Sequence, residues 1–230
     1  MRARAGLWGA ALAVLALAPA WVPVLLGGET FYTRDTAFYY APQKAFEVAT
    51  VRGGVFPTWN PALHLGLPHA ANPTFGVLDP LNAVHHLLPG SLGVSVRALV
   101  SLLVLGLGCA WLAGLLGAGR LGAAVSGVCA ALCGPALGYL GNPFYLHGLA
   151  WIWLAPGAVL APWPLRARAA GVGLGLAMPL LAGDPQAAMV AGLLCGLASV
   201  AGGAGVGLRL RSFSLGAALS ALLTLPQLVA

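Results

Sequence analysis

The 230-residue chain is 60% hydrophobic and only 7% charged, against about 25% charged in soluble domains; this excludes a soluble globular fold and marks an all-α polytopic membrane protein. Its formal charge of +6 comes from basic residues scattered singly and in pairs between apolar runs. They form no basic face, which argues against nucleic acid as a partner, and they read as topology signals.

In chain order, Arg2 and Arg4 precede an apolar run over residues 7–26. It reads as a first transmembrane helix; a secretory signal ending at Ala18-Pro19-Ala20 is the alternative, although the apolar run continues past that site. Under both readings residues 27–94 form an extracytoplasmic loop. Its first half predicts an interfacial helix with Asp35 or Thr36 as N-cap. Phe38, Pro42, Phe46 and Ala49 recur near helical spacing on the apolar side, while Gln43, Lys44, Glu47 and Thr50 face away. Gly53-Gly54 ends it. The second half is proline-rich with no sustained period and reads as a folded-back loop. Its clearest turn is Asp79-Pro80, an N-cap acid with proline at N1, opening a short helix that carries Asn82, His85 and His86.

Six further spans follow, over residues 94–118, 121–140, 147–165, 169–181, 185–206 and 212–230, giving about seven in all at roughly 20 residues each. With the N-terminus cytoplasmic, Arg2, Arg4, Arg120, Arg166, Arg168, Arg209 and Arg211 all fall inside, as the positive-inside rule asks. The same register puts the five acids, Glu29, Asp35, Glu47, Asp79 and Asp184, on the opposite side. The fifth span is short, which sets Asp184 near the membrane. The last is still apolar at Ala230, which predicts that residues 1–230 are one module of a longer protein.

Cys109, Cys129, Cys133 and Cys195 all lie in apolar runs, where cysteine packs as a small hydrophobe. They imply neither a disulfide framework nor a metal site. His64, His69, His85 and His86 fit no zinc spacing. A divalent metal is the one cofactor left open, because acids lie near these histidines. No Walker, Rossmann or Gly-x-Ser-x-Gly motif is present, which gives nucleotide binding and serine hydrolysis no support.

The polar loop carries a resemblance. Arg34-Asp35 followed by Tyr39-Tyr40 and Pro42, then Gly54-Val55-Phe56-Pro57-Thr58-Trp59-Asn60-Pro61, Gly66-Leu67-Pro68 and Ala71-Asn72-Pro73, resembles the first extracytoplasmic loop of YfhO-type bacterial membrane proteins. These belong to the GT-C glycosyltransferase superfamily. Gly183-Asp184-Pro185-Gln186 and the Asn142-Pro143 turn are similar too. Where Asp79 stands the family usually has tyrosine, and the family's long C-terminal part is absent.

The resemblance implies a GT-C-like module in the bacterial inner membrane that moves a sugar from a polyprenyl-phosphate donor to a glycan, lipid or protein acceptor of the cell envelope. Asp35 matches the loop acid that acts as catalytic base. A carboxylate there can take the acceptor hydroxyl's proton as it attacks the anomeric carbon, and the lipid-phosphate leaving group needs no strong acid. Helix capping is the plainer role for Asp35, as it is for Asp79 and for Asp184, the candidate second acid. The donor phosphate needs outer-side cations. Arg34, Lys44, Arg52 and Arg97 are available, and Arg52 and Arg97 suit bidentate contact best. Tyr39 lies in the matched motif beside Asp35. Trp59 and Asn60 either shape the loop or offer a face on which a sugar stacks. A non-enzymatic transporter of lipid-linked sugar, or a degenerate GT-C scaffold, is the alternative. The near absence of ionisable residues inside the predicted spans argues against an ion-coupled carrier.

Overall fold

The computed structural model describes residues 12, 15–19, 21–31, 34–88, 90–201 and 205–229. Ten α-helices lie among them: α1 Ala41–Arg52, α2 Ala83–Leu87, α3 Gly90–Leu115, α4 Arg120–Ala131, α5 Gly134–Gly138, α6 Pro143–Leu149, α7 Leu154–Leu160, α8 Leu165–Leu181, α9 Pro185–Val200 and α10 Val206–Val229. Residues 15–19 and 21–26 are also helical; most of the predicted first span before them lies outside the described residues.

Four helical stretches are long and apolar enough to cross a membrane: Gly90–Leu115, Arg120–Gly141, Pro143–Leu160 and Val206–Gln227. They make this a candidate multi-pass membrane protein. The 26 residues of α3 extend about 39 Å at 1.5 Å per residue, beyond the roughly 30 Å of hydrocarbon. Two stretches are interrupted. The one containing α4 restarts as α5 with Pro135 in its first turn. The predicted span 147–165 begins four residues earlier, at Pro143, and is divided by a turn at residues 150–153 between α6 and α7. The predicted 212–230 span likewise begins earlier, at Val206. These shifts arise because hydropathy locates an apolar run, whereas Asn142-Pro143 and Ala161-Pro162 locate its ends.

Small residues let the helices meet closely, as association inside lipid requires. A Cβ on Gly127 of α4 would stand 2.6 Å from the Gly106 carbonyl of α3, and one on Gly216 of α10 would stand 2.5 Å from Val172 of α8. Leu17 and Val24 pack with Ala98, Leu99, Leu102 and Leu105 of α3 in one core cluster. Ala155, Ala158, Val159, Val172 and Cys195 join α7, α8 and α9 in another.

The loop reverses one expectation. Its helix forms, entered through a π turn at Thr36–Tyr40 with Pro42 in the first turn of α1. There the missing N–H costs no helical hydrogen bond. But Gln43, Lys44 and Glu47, expected to face away from the apolar side into water, are buried against the protein, and Phe38 is 89% exposed. The charged groups turn inward because they find partners in one another and in the second half of the loop. The apolar face is left outward.

That second half is folded as expected. Trp59–Asn60 (β1) pairs antiparallel with Leu67–Pro68 (β2). Asn72 caps a short 3-10 turn at Pro73–Phe75 by accepting from Thr74 N (3.0 Å), and Asp79 Oδ1 caps a second at Pro80–Asn82 by accepting from Leu81 N (3.0 Å).

Candidate functional site: a buried polar layer between loop and spans

Lys44 and Glu47 lie three residues apart on one face of α1, a spacing that brings them together. Lys44 Nζ donates to Glu47 Oε2 (2.8 Å), to Asn82 Oδ1 (2.7 Å) and to the Phe75 carbonyl, so its three protons have three acceptors. Asn82 Nδ2 donates to the other Glu47 oxygen. His86 Nε2 stands 3.4 Å from Glu47 Oε1 and His69 Nε2 3.6 Å from Oε2. Burial alone would raise the Glu47 carboxyl, but His69, Lys44 and Asn82 turned toward it outweigh that and bring it to about 2. Burial lowers Lys44 against the pull of Glu47. The His69 ring stacks on Phe75 (4.4 Å between centroids) and meets Phe46 edge-on (5.1 Å).

A second group lies beside it. Arg97 of α3 is fully buried and donates to Asp79 Oδ2 and to Ser101 Oγ one turn on. Ser101 Oγ is 2.8 Å from His147 Nδ1 on α6, and His147 Nε2 is 3.1 Å from the Tyr40 hydroxyl, which is also 3.1 Å from His85 Nε2. Burial raises the Tyr40 phenol and lowers His85 well below the ordinary histidine range, with Lys44 and Arg97 adding to the His85 shift. Loop and spans are thus joined by a continuous hydrogen-bonded chain from Asp79 to His85.

Asp35 makes no capping hydrogen bond and is exposed. With the Asn142 amide turned to satisfy both its ends, Nδ2 donates to Asp35 Oδ2 and to the Gly141 carbonyl (2.9 Å). Thr36 Oγ1 beside it donates to the Leu140 carbonyl (2.9 Å). Asp184 is buried and caps α9 by accepting from Ala187 N (3.0 Å); burial raises its carboxyl above the usual range. It packs on α6 so closely that a Cβ on Gly148 would stand 2.2 Å from Asp184 Cβ. One seven-residue helix therefore has Asp35 at its N-terminal end, His147 in the buried chain and Asp184 against Gly148.

The remaining candidates are dispersed. Arg34 is exposed, with a left-handed φ of 48°. Tyr39 is half-buried against Phe75 (5.6 Å between centroids). Arg52 is exposed at the last turn of α1. Trp59 is 53% exposed and lies over Gly66, where a Cβ would meet the indole at 2.4 Å. Asn60 points the other way along β1; it is buried, donates to Gln43 Oε1 (2.9 Å) and accepts from Ala62 N (3.0 Å), which ties the loop to α1. Arg97, expected to face a donor phosphate, has its guanidinium engaged by Asp79 and Ser101.

Sequence reasoning missed Ser101 and His147, named Tyr40 only within the matched motif, gave Glu47 to solvent, and offered Lys44 to a donor phosphate although its ammonium is engaged by Glu47, Asn82 and the Phe75 carbonyl. Available signals were the Arg97/Ser101 pair at i, i+4 within an apolar run and a histidine placed inside a span. Among the described residues no cluster of three or more His, Cys, Asp or Glu is arranged to hold a metal ion. Comparison with protein-family models, with curated proteins and with solved structures finds no match for this chain.

Proposed function

We propose that this chain is a GT-C-like membrane module of about seven spans, of the YfhO type, with a cytoplasmic N-terminus and an extracytoplasmic first loop. It transfers sugar from a polyprenyl-phosphate donor, with Asp35 as the base and Asp184 as a second acid that orients the acceptor. The observation carrying this reading is the state of Asp35: its carboxylate is not spent on a cap, remains exposed, and is held by Asn142 at the start of α6, the helix against which Asp184 also packs. Asp35→Asn should leave folding intact, because capping is not its role. General-base assistance is worth about 10²–10⁴ in rate, so sugar transfer from a polyprenyl-phosphate donor should fall by that order. Transfer at the undiminished rate would remove Asp35 from the chemistry.

One observation favours the non-enzymatic reading. Arg97 and His147 are buried ionisable residues within span-length helices, the feature expected of a transporter. Their hydrogen-bonded pairing with loop residues gives them a structural role that a scaffold also needs. Absence of transfer in the unmodified protein, with donor lipid still crossing reconstituted vesicles, would decide for this alternative.

A further inference from the structure

The loop leaves one strip of α1 uncovered. Pro42, Ala45, Ala49 and Arg52 recur at intervals of three and four residues, so they share a helix face, and all four are exposed. Phe38, 89% exposed, lies four residues before Pro42. The opposite face of α1 is spent on the polar layer, where Lys44 and Glu47 are buried.

Along this strip runs a groove of about 250 Å³ between α1 and the junction of α2 with α3. Ala41, Ala45, Val48 and Ala49 line it from α1, Leu88 and Gly90 line it where the chain enters α3, and Arg52 lines it from the last turn of α1. Lys44 and His85 border it too. The Lys44 protons, however, are given to Glu47, Asn82 and the Phe75 carbonyl, and both ring nitrogens of His85 are buried. Arg52 is therefore the charged group of the groove that faces outward. Among the described residues its guanidinium has no hydrogen-bond partner, and no residue lining the groove is acidic.

Gly90 fixes the depth of the groove. The 26 residues of α3 extend about 39 Å from it, against roughly 30 Å of hydrocarbon and about 40–45 Å with the headgroups. A centred α3 therefore sets Gly90 in the headgroup layer on the loop's side. An exposed apolar helix strip that ends in an arginine suits that layer. The occupant follows from the lining. A guanidinium takes a phosphate through two parallel hydrogen bonds, and the alanines with Leu88 take methylenes. An amine headgroup would find no carboxylate there. The volume is below the roughly 300–1,000 Å³ of ordinary ligand pockets, so the groove encloses part of a lipid and leaves the rest in the bilayer. We propose that it holds an anionic phospholipid of the adjoining leaflet, with the phosphate on Arg52 and a chain along the alanine strip. Asp35 does not line the groove, so the site is separate from the proposed sugar transfer and stands whether or not that transfer occurs.

Ala49 is an exposed lining position, so a thiol placed there reports whether the groove is occupied. In the 230-residue chain in dodecyl maltoside, with the four native cysteines replaced, Ala49→Cys should react with N-ethylmaleimide, and added phosphatidylglycerol should slow that reaction several-fold. Phosphatidylethanolamine or inorganic phosphate at the same concentration should not. Thr58→Cys, exposed on the loop and outside the groove, controls for the reagent and should keep its rate throughout. Arg52→Gln, at an exposed side chain, should abolish the protection without changing the melting temperature. Ala45→Leu, which fills the strip and keeps the charge, should weaken it as well. The proposal is overturned if phosphatidylglycerol leaves the Ala49→Cys rate unchanged, if phosphatidylethanolamine or inorganic phosphate protects equally, if Thr58→Cys slows as much, or if protection survives either substitution. Protection by a polyprenyl phosphate and not by phosphatidylglycerol would also overturn it, giving the groove to the sugar donor.

Discussion

Asp79→Asn isolates the ion pair that ties the loop to α3. Asp79 has two separable duties: Oδ1 caps the Pro80–Asn82 turn (3.0 Å to Leu81 N), and Oδ2 accepts from Arg97. Asparagine is nearly as good a cap as aspartate, so the substitution spares the turn and removes only the charge. Both side chains are almost completely buried, at 1% and 3% exposure, so water cannot solvate the guanidinium left behind. Breaking a buried pair by removing one partner costs about 3–5 kcal/mol. At about 2–4 °C per kcal/mol for a chain of 150–250 residues, the melting temperature in detergent should fall by roughly 6–20 °C. Replacing both partners by apolar residues, as in Asp79→Leu with Arg97→Met, is often neutral and should recover most of the loss apart from the cap. The test is a thermal melt followed by tryptophan fluorescence on the wild type, Asp79→Asn and the double variant. A fall of less than about 2 °C for Asp79→Asn would mean that Arg97 is solvated and that the layer is not dry.

Three further outcomes are expected. The Glu47 carboxyl is depressed in the folded state from an ordinary 4.5 to about 2, so its contribution is complete above pH 4.5 and is lost as pH falls toward 2. On the order of 3 kcal/mol is at stake, and a Glu47→Gln variant whose acid melting profile superimposes on the wild type would refute the pairing. Trp59 is only half buried, so Trp59→Ala should cost about 1.5–2.5 kcal/mol, half of the 3–5 kcal/mol for a fully buried aromatic; a thermal shift as large as that of Asp79→Asn would contradict this. Single cysteines at the exposed Thr58 and Ala167, in a background without the four native cysteines, should label from opposite sides of the membrane with an impermeant maleimide, and labelling of both from outside intact cells would overturn the proposed topology.

Local chemistry was legible in the sequence. Hydropathy over about 20 residues marks a candidate span whatever its neighbours are, and α3 and the Arg120–Gly141 stretch lie close to where it put them. Asp79-Pro80 and Asp184-Pro185 announced their caps because a cap is a contact between residues two or three apart. Periodicity likewise gave the two faces of α1, but it could not say what each face meets. Gln43, Lys44 and Glu47 are what a water-facing stripe looks like, and they are buried only because Asn60, Phe75 and Asn82 return to that side of the helix. Tyr40 and His147 are 107 positions apart, and Asp79 and Arg97 sit on different elements. No spacing rule reaches across such separations. Apolar segments and helix caps depend on near neighbours and so can be read along the chain. Which polar groups leave water together is set by the fold, because burying a charge is tolerable only where its partner is brought to meet it.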